Sequence, residues 1–149
     1  MLGKLNSSQI ENVLHGEVIG RIGCHANDIT YVVPVSYVYD GVYVYAHTQE
    51  GLKIEMMRTN PMVCFEVDVM ENMSNWRSVI AWGKFEEIKN LEERKAGMQK
   101  LIDRILPLMK SETTPHHAMV EAHAKGVGNM PGIVFKIKLS KKTGRFEKQ

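Results

Sequence analysis

The chain has 149 residues, 44% of them hydrophobic and 24% charged, and 19 basic against 17 acidic side chains leave a net charge of +2. That is the size and balance of one folded domain. It argues against a disordered chain, a nucleic-acid binder or a polybasic membrane anchor. No run approaches the roughly 18 apolar residues of a membrane span, and residues 1–6 lack the pattern of an export signal. Cys24 and Cys64 are the only cysteines, without a CxxC spacing, as expected of free thiols in a cytoplasmic protein. A single domain over 1–149 is the expectation.

Residues 7–16 read as a short helix capped by Ser7 or Ser8, with Glu11 in capping-box register to Ser8 and Ile10, Val13 and Leu14 on one face. Residues 17–25 read as a strand, Asn27-Asp28 as a turn, and 29–39 as one long β-branched and aromatic strand. Asp40-Gly41 signals a hairpin, and 42–47 is its return strand. Helical spacing covers 50–60, with Leu52, Met56 and Met57 as its stripe, and Asn60-Pro61 stops it. Two strands follow at 62–69 and 76–88 around a loop at 70–75. A long helix is predicted over 91–109, with Leu101, Ile105 and Leu108 on one face and a break at Pro107. A shorter helix over 115–125, a Gly/Pro-rich link and a last alternating strand at 133–139 complete the chain.

About six strands joined mostly by hairpins, with helices inserted, predict a mainly β fold: a small antiparallel barrel or sandwich with α decoration. Regular βαβ interleaving is missing, so a parallel sheet is not expected.

The segment His47-Thr48-Gln49-Glu50-Gly51-Leu52-Lys53 joins a strand to a helix. A helix start presents unpaired N–H groups and the positive end of the dipole, which suits a phosphate. Thr48 adds a hydroxyl and Lys53 a point charge, while Glu50 opposes an anion; a capped helix with a solvated lysine is the plainer alternative. Arg58 projects about 140° around the helix from Lys53 and need not reach the same anion. Pro34, inside the apolar run Val33-Pro34-Val35-Ser36-Tyr37, cannot donate to a ladder, so an edge or a bulge is expected there. Its unpaired backbone neighbours suit a planar heterocycle. Period-2 alternation puts Trp76, Ser78, Ile80 and Trp82 on one face and Arg77, Val79, Ala81 and Gly83 on the other. Gly83 in mid-strand marks a bulge or a close approach. His116, His117 and His123 cluster without a zinc-type spacing, so no metal is expected. Cys24 and His25, as strand neighbours, face opposite ways and do not make a nucleophilic pair.

The ordered set Pro34-Val35-Ser36-Tyr37-Val38-Tyr39-Asp40-Gly41, Tyr45-Ala46-His47, Gly51-Leu52-Lys53, Asn60-Pro61-Met62-Val63-Cys64-Phe65-Glu66-Val67 and Arg77-Ser78-Val79 with Gly83 resembles the pyridoxamine 5′-phosphate oxidase-like flavin-binding split barrels. Among them it is most similar to the nitroimidazole-resistance (Nim) type. The resemblance implies a six-stranded antiparallel split β-barrel and a homodimer holding FMN at the subunit interface. It assigns the phosphate to Thr48 and Lys53, and the ring to the backbone of Pro34, Val35, Ser36 and Tyr37. Arg77, Ser78 and Val79 would contact the ribityl chain or phosphate, and His47 would stand beside the flavin as the one catalytic candidate. The implied activity is reduction of a small organic acceptor, nitroaromatics among the candidates, with a nicotinamide donor. Thr143-Gly144-Arg145-Phe146 copies the substrate motif of true pyridoxamine phosphate oxidases poorly. A flavin module without turnover, a deazaflavin protein and a haem-binding barrel using His116, His117 or His123 are the alternatives.

Overall fold

The computed structural model describes residues 1–109 and 131–149. Its elements run β1 (Leu2–Lys4), α1 (Ser7–Gly16), β2 (Ile19–Ala26), β3 (Ile29–Ser36), β4 (Val38–Tyr39), β5 (Tyr43–Thr48), α2 (Leu52–Thr59), β6 (Met62–Asn72), β7 (Asn75–Glu87), α3 (Leu91–Ile105) and β8 (Ile133–Glu147). One antiparallel sheet has the order β3-β2-β6-β7-β8-β5-β4, with β1 added at the end of β8. The sheet curls until β3 touches β5, and no ladder joins the two among the described residues. The result is the expected six-stranded split barrel: six long strands form the wall, and β1 and β4 are short additions of three and two residues.

Alternation along β2, β6 and β7 turns Ile22, Cys24, Phe65, Val67, Val79 and Ala81 inward. Tyr37 and Phe65, both fully buried, meet edge to face at 4.9 Å and 81°. The Tyr37 hydroxyl donates to the Leu14 carbonyl at 2.7 Å, which fastens α1 to the barrel. Burial holds that phenol well above the usual tyrosine range, so it stays a donor. A second apolar cluster lies outside the wall, where α3 sets Met98, Leu101, Ile102 and Ile105 against Tyr45 and Val134.

Several sequence expectations are corrected. The cap of α1 is Asn6, whose side chain accepts from Gln9 N–H at 2.9 Å while Gln9 Oε1 accepts from Asn6 N–H at 2.8 Å; Ser7 already lies inside the helix. The predicted strand over 29–39 is two strands, because the chain leaves β2 after Ser36 and pairs Val38 with Tyr45 of β5. In α2 the inward stripe is Ile54, Met56 and Met57, and Leu52 is exposed. Helix α3 stops at Ile105, a 3₁₀ turn carries Pro107, and Leu108 is exposed. The last strand runs to Glu147 because β7 on one side and β1 at the end supply its ladder, without an apolar alternation to announce it. The predicted helix over 115–125 lies outside the described residues.

The close approach at Gly83 is observed. The β7–β8 register slips after Trp82, which faces Lys141 while Gly83 faces Leu139. Ser140, the extra residue, donates its hydroxyl to the Trp82 carbonyl at 3.2 Å. A Cβ on Gly83 would lie 2.4 Å from the Lys138 carbonyl oxygen, so a side chain must displace backbone. Gly83→Ala is expected to destabilise the fold by about 1–3 kcal/mol, read as a lower urea midpoint; an unchanged midpoint would mean the ladder yields there freely.

Candidate functional site

Among the described residues, strand β3 ends the sheet and is laddered on one side only. The Tyr37 N–H continues that ladder by donating to the Val18 carbonyl at 2.9 Å. Bonded pairs recur at every second residue of an antiparallel ladder. Val35, Val33 and Tyr31 therefore turn their backbone groups to β2, while Ser36, Pro34 and Val32 turn theirs to the open edge. Pro34 sits where its missing N–H costs no ladder bond, as an edge strand permits. The open edge offers the Ser36 and Val32 N–H groups and the carbonyls around Pro34. The Tyr37 side chain takes no part, being buried against Phe65.

Strand β5 touches β3 across the seam. His47 and Thr48 pair with Val134 and Ile133 of β8, and Gly51 opens α2 with no side-chain cap. The Thr48 hydroxyl therefore does not cap the helix. The His47 Nε2–H donates to the Pro131 carbonyl at 2.8 Å, which leaves Nδ1 as the bare acceptor of a neutral ring. Gly132 makes this contact possible: its φ is +101°, and a Cβ there would lie 2.7 Å from both His47 Nε2 and the Thr48 carbonyl oxygen. Nothing in the sequence joins residue 132 to residue 47; only the β5–β8 ladder does.

Lys53, in the first turn of α2, is half-buried and makes no ion pair or hydrogen bond with the described residues. Burial pushes its ammonium below the usual lysine range, and the Cys24 thiol opposes that shift. Cys24 stands opposite Tyr31 of β3, so Lys53 lies near that part of the β2–β3 ladder. Drawing a cation partly out of water without a counter-ion costs it part of its hydration. Glu50, the acidic residue of this turn, is instead taken up by Arg58, whose Nη1 and Nη2 donate to it at 3.1 and 2.8 Å. Sequence spacing does not reveal this pair, nor Glu87, which the same guanidinium holds from β7.

Arg77, Ser78 and Val79 lie elsewhere. Glu87 of β7 faces Phe135, whose neighbour Val134 faces His47. Arg77 is ten residues back along β7, roughly 30 Å at ~3.3 Å per residue. Val79 is buried, Ser78 half-buried, and Arg77 exposed beside a cleft of about 460 Å³ that it shares with Gln9, Trp76 and Phe146. The predicted face assignment of β7 holds, with Ile80 and Trp82 both partly exposed on the outer row. One chain therefore does not unite Arg77 with Lys53. Between them the outer sheet face carries Val32, Met62, Ile80 and Trp82, with a hollow of about 300 Å³ around Gly23 and Cys64.

No group of three or more His, Cys, Asp or Glu among the described residues is arranged to hold a metal ion. His116, His117 and His123 lie outside the described residues. Among the described residues no helix is long and apolar enough to cross a membrane.

Burial holds the His47 imidazole below the ordinary histidine value of 6.5, against the Pro131 hydrogen bond, which raises it; Arg94 adds to the lowering. The unfolded chain therefore takes up this proton first as pH falls. The contribution of His47 is fully favourable above about pH 6.5 and weakens as pH drops below that. His47→Gln is expected to lose less Tm than the native protein between pH 7.5 and 5.5; equal losses would place the sensitivity in another group.

The sequence model of the pyridoxamine 5′-phosphate oxidase family matches residues 6–127. A FAD-binding protein from Mesorhizobium loti is 27% identical, with a TM-score of 0.77 over 98% of each chain. A proposed 5-nitroimidazole antibiotic resistance protein from Bacteroides thetaiotaomicron shares the fold at 19% identity and a TM-score of 0.71, over 98% of this chain and 87% of its own. The chain spans 56% of the length of a curated relative, an uncharacterised Rhizobium meliloti protein, to which it is 27% identical over 84 residues. With most of its length matched by the family and the split barrel in place, this chain belongs to the pyridoxamine 5′-phosphate oxidase family.

Proposed function

We propose that this protein is an FMN-dependent oxidoreductase that reduces a small organic acceptor, nitroaromatic compounds included, with electrons from a nicotinamide donor. The observation that carries this reading is Lys53: a half-buried ammonium with no described counter-ion, in the first turn of a helix five residues after Thr48. A phosphate ester completes such a site, since it supplies the missing charge and accepts from the free N–H groups of the first turn. The open edge of β3 at Val32, Pro34 and Ser36 fits the donors and acceptors of a flavin ring. The flavin supplies the redox chemistry when bound; the protein binds its phosphate, orients its ring and limits what approaches it. His47, held neutral and fixed by Pro131, presents Nδ1 as an acceptor near the ring edge.

The protein acts as a homodimer in this reading. Arg77 and Ser78 cannot reach the Lys53 end of their own barrel, so a second copy supplies them; Val79, expected beside them, is fully buried in the core and contacts no flavin. The outer face with Val32, Met62, Ile80 and Trp82 is an apolar surface of the kind that association covers. Cys24 and Cys64, both free, fit a reducing cytoplasm. FAD is the second reading, favoured by the FAD-binding protein of Mesorhizobium loti; its first phosphate would take the same seat.

The visible spectrum of protein purified without added cofactor should show flavin near one per chain, and chromatography of the released cofactor separates FMN from FAD. Lys53→Ala should weaken FMN binding by about tenfold or more, the scale of one lost charge-assisted contact, while riboflavin binding holds. Unchanged FMN affinity would remove Lys53 from the phosphate seat. Nicotinamide-driven reduction followed by reoxidation with a nitroaromatic compound marks an enzyme; binding without turnover marks a carrier. For the dimer, mixing Lys53→Ala with Arg77→Ala protomers should restore flavin to one site in each mixed pair. No recovery would mean that each site is built within one chain.

A further inference from the structure

Arg58 stands in the last turn of α2 and holds two carboxylates at once. Its Nη1 and Nη2 donate to Glu50 at 3.1 and 2.8 Å, and its Nε and Nη2 to Glu87 at 3.2 and 2.7 Å. Both pairings are forked, the geometry that guanidinium offers and ammonium does not. Glu50 and Arg58 are otherwise well exposed, with side-chain exposures of 59% and 39%. A lone exposed ion pair adds little to folding stability, whereas a forked network anchored on the less exposed Glu87 adds some; its location gives it a further consequence. Glu50 is the acidic residue of the turn from His47 to Lys53, two positions after the Thr48 hydroxyl and three before the Lys53 ammonium. Glu87 is the fixed point, on the long strand β7 and much the least exposed of the three.

We propose that Arg58 is a positioning residue of the phosphate-binding turn: it withdraws the Glu50 carboxylate to Glu87, which removes the opposing charge from the seat and pins the turn to β7. The inference rests on the reading of Lys53 as the phosphate seat. Four of the five N–H groups of Arg58 are engaged by the two carboxylates, so its role in the turn is through them and not as a phosphate ligand. Without it, Glu50 is released beside Lys53 and competes with any anion for that ammonium. The cost of losing Arg58 is therefore a charge effect transmitted by Glu50, and removing the Glu50 charge as well should cancel it. A merely structural role has no such signature.

The test measures dissociation constants of the purified full-length apoprotein for FMN and for riboflavin, which lacks the phosphate, by quenching of flavin fluorescence. Arg58→Ala should weaken FMN binding by about tenfold, the scale of one unfavourable charge contact, and leave riboflavin binding nearly unchanged. The double variant Arg58→Ala with Glu50→Gln should recover most of the lost FMN affinity. Should Arg58→Ala fail to fold, Arg58→Lys replaces it: it keeps the charge, lacks the double fork, and should lose FMN affinity in part and regain it with Glu50→Gln. Unchanged FMN affinity on replacing Arg58 overturns the proposal. So does a loss shared equally by FMN and riboflavin that Glu50→Gln does not restore. A native protein that binds riboflavin as tightly as FMN fails at the earlier step, because Lys53 then seats no phosphate and Arg58 has no turn to position.

Discussion

The molecule depends on the double use of strand β8. Its ladder with β7 extends from Phe135 to Glu147. On the opposite edge it carries β5 over Ile133 to Lys138 and then β1 over Arg145 to Glu147. The bulge at Ser140 falls between the two partners, just after β5 leaves. Bulges raise the local twist and bend the strand that bears them. Here the bend carries β5 around toward β3 and turns a sheet into a barrel. The absence of a Cβ at Gly83 lets the Lys138 carbonyl approach closely enough for that slip to exist.

A barrel closed in this way stops short of pairing β3 with β5, and the candidate site occupies the seam. An open strand edge presents backbone donors and acceptors that must find partners. At most edges water serves. At this one the neighbouring turn adds a half-buried lysine, a threonine hydroxyl and a helix start, so the seam combines neutral hydrogen-bonding groups with one localised positive charge. Two cations of α2 are used in opposite ways. Arg58 is held by two carboxylates, and Lys53 is left without an ionic partner among the described residues. An arginine suits the first task because its fork holds two carboxylates in one plane, and a lysine suits the second because its charge is compact. His47 is held by a contact with Pro131 that has nothing to do with its own strand, so its ring orientation is a tertiary property.

Much of the fold was legible because burial alternates along the strands. Spacing alone put Val79 and Ala81 on one face of their strand, which is the buried one, and Asp40-Gly41 announced its turn. There the Asp40 carboxylate accepts from the N–H groups of Val42 and Tyr43 at 2.9 and 2.7 Å. Pro34 announced an edge because its ring removes a donor. Alternation was silent where the partner strand changes but the in-and-out rhythm continues, as at Tyr37. It was silent again in the second half of β8, where Ser140, Lys141, Lys142 and Thr143 are held by ladder bonds instead of an apolar face. The cap of α1 went to Asn6 because its amide oxygen and the Gln9 side chain close a reciprocal pair, which a Ser8–Glu11 spacing only imitates.

The site was legible in its parts and not in its assembly. Residue types and local spacing determined that a strand passes into a helix start with Lys53 in its first turn, that β3 is a poor ladder partner at Pro34, and that Arg77 and Val79 share a face of β7. These follow from covalent geometry within a few residues. Only the tertiary structure decided that Gly132 and Pro131 close on His47 and that Arg58 reaches back to Glu50 and across to Glu87. It also decided that Arg77 stands at the far end of its own barrel from Lys53. Each of those outcomes depends on strand order and register, which bring together residues distant along the chain, and no local periodicity encodes such distances.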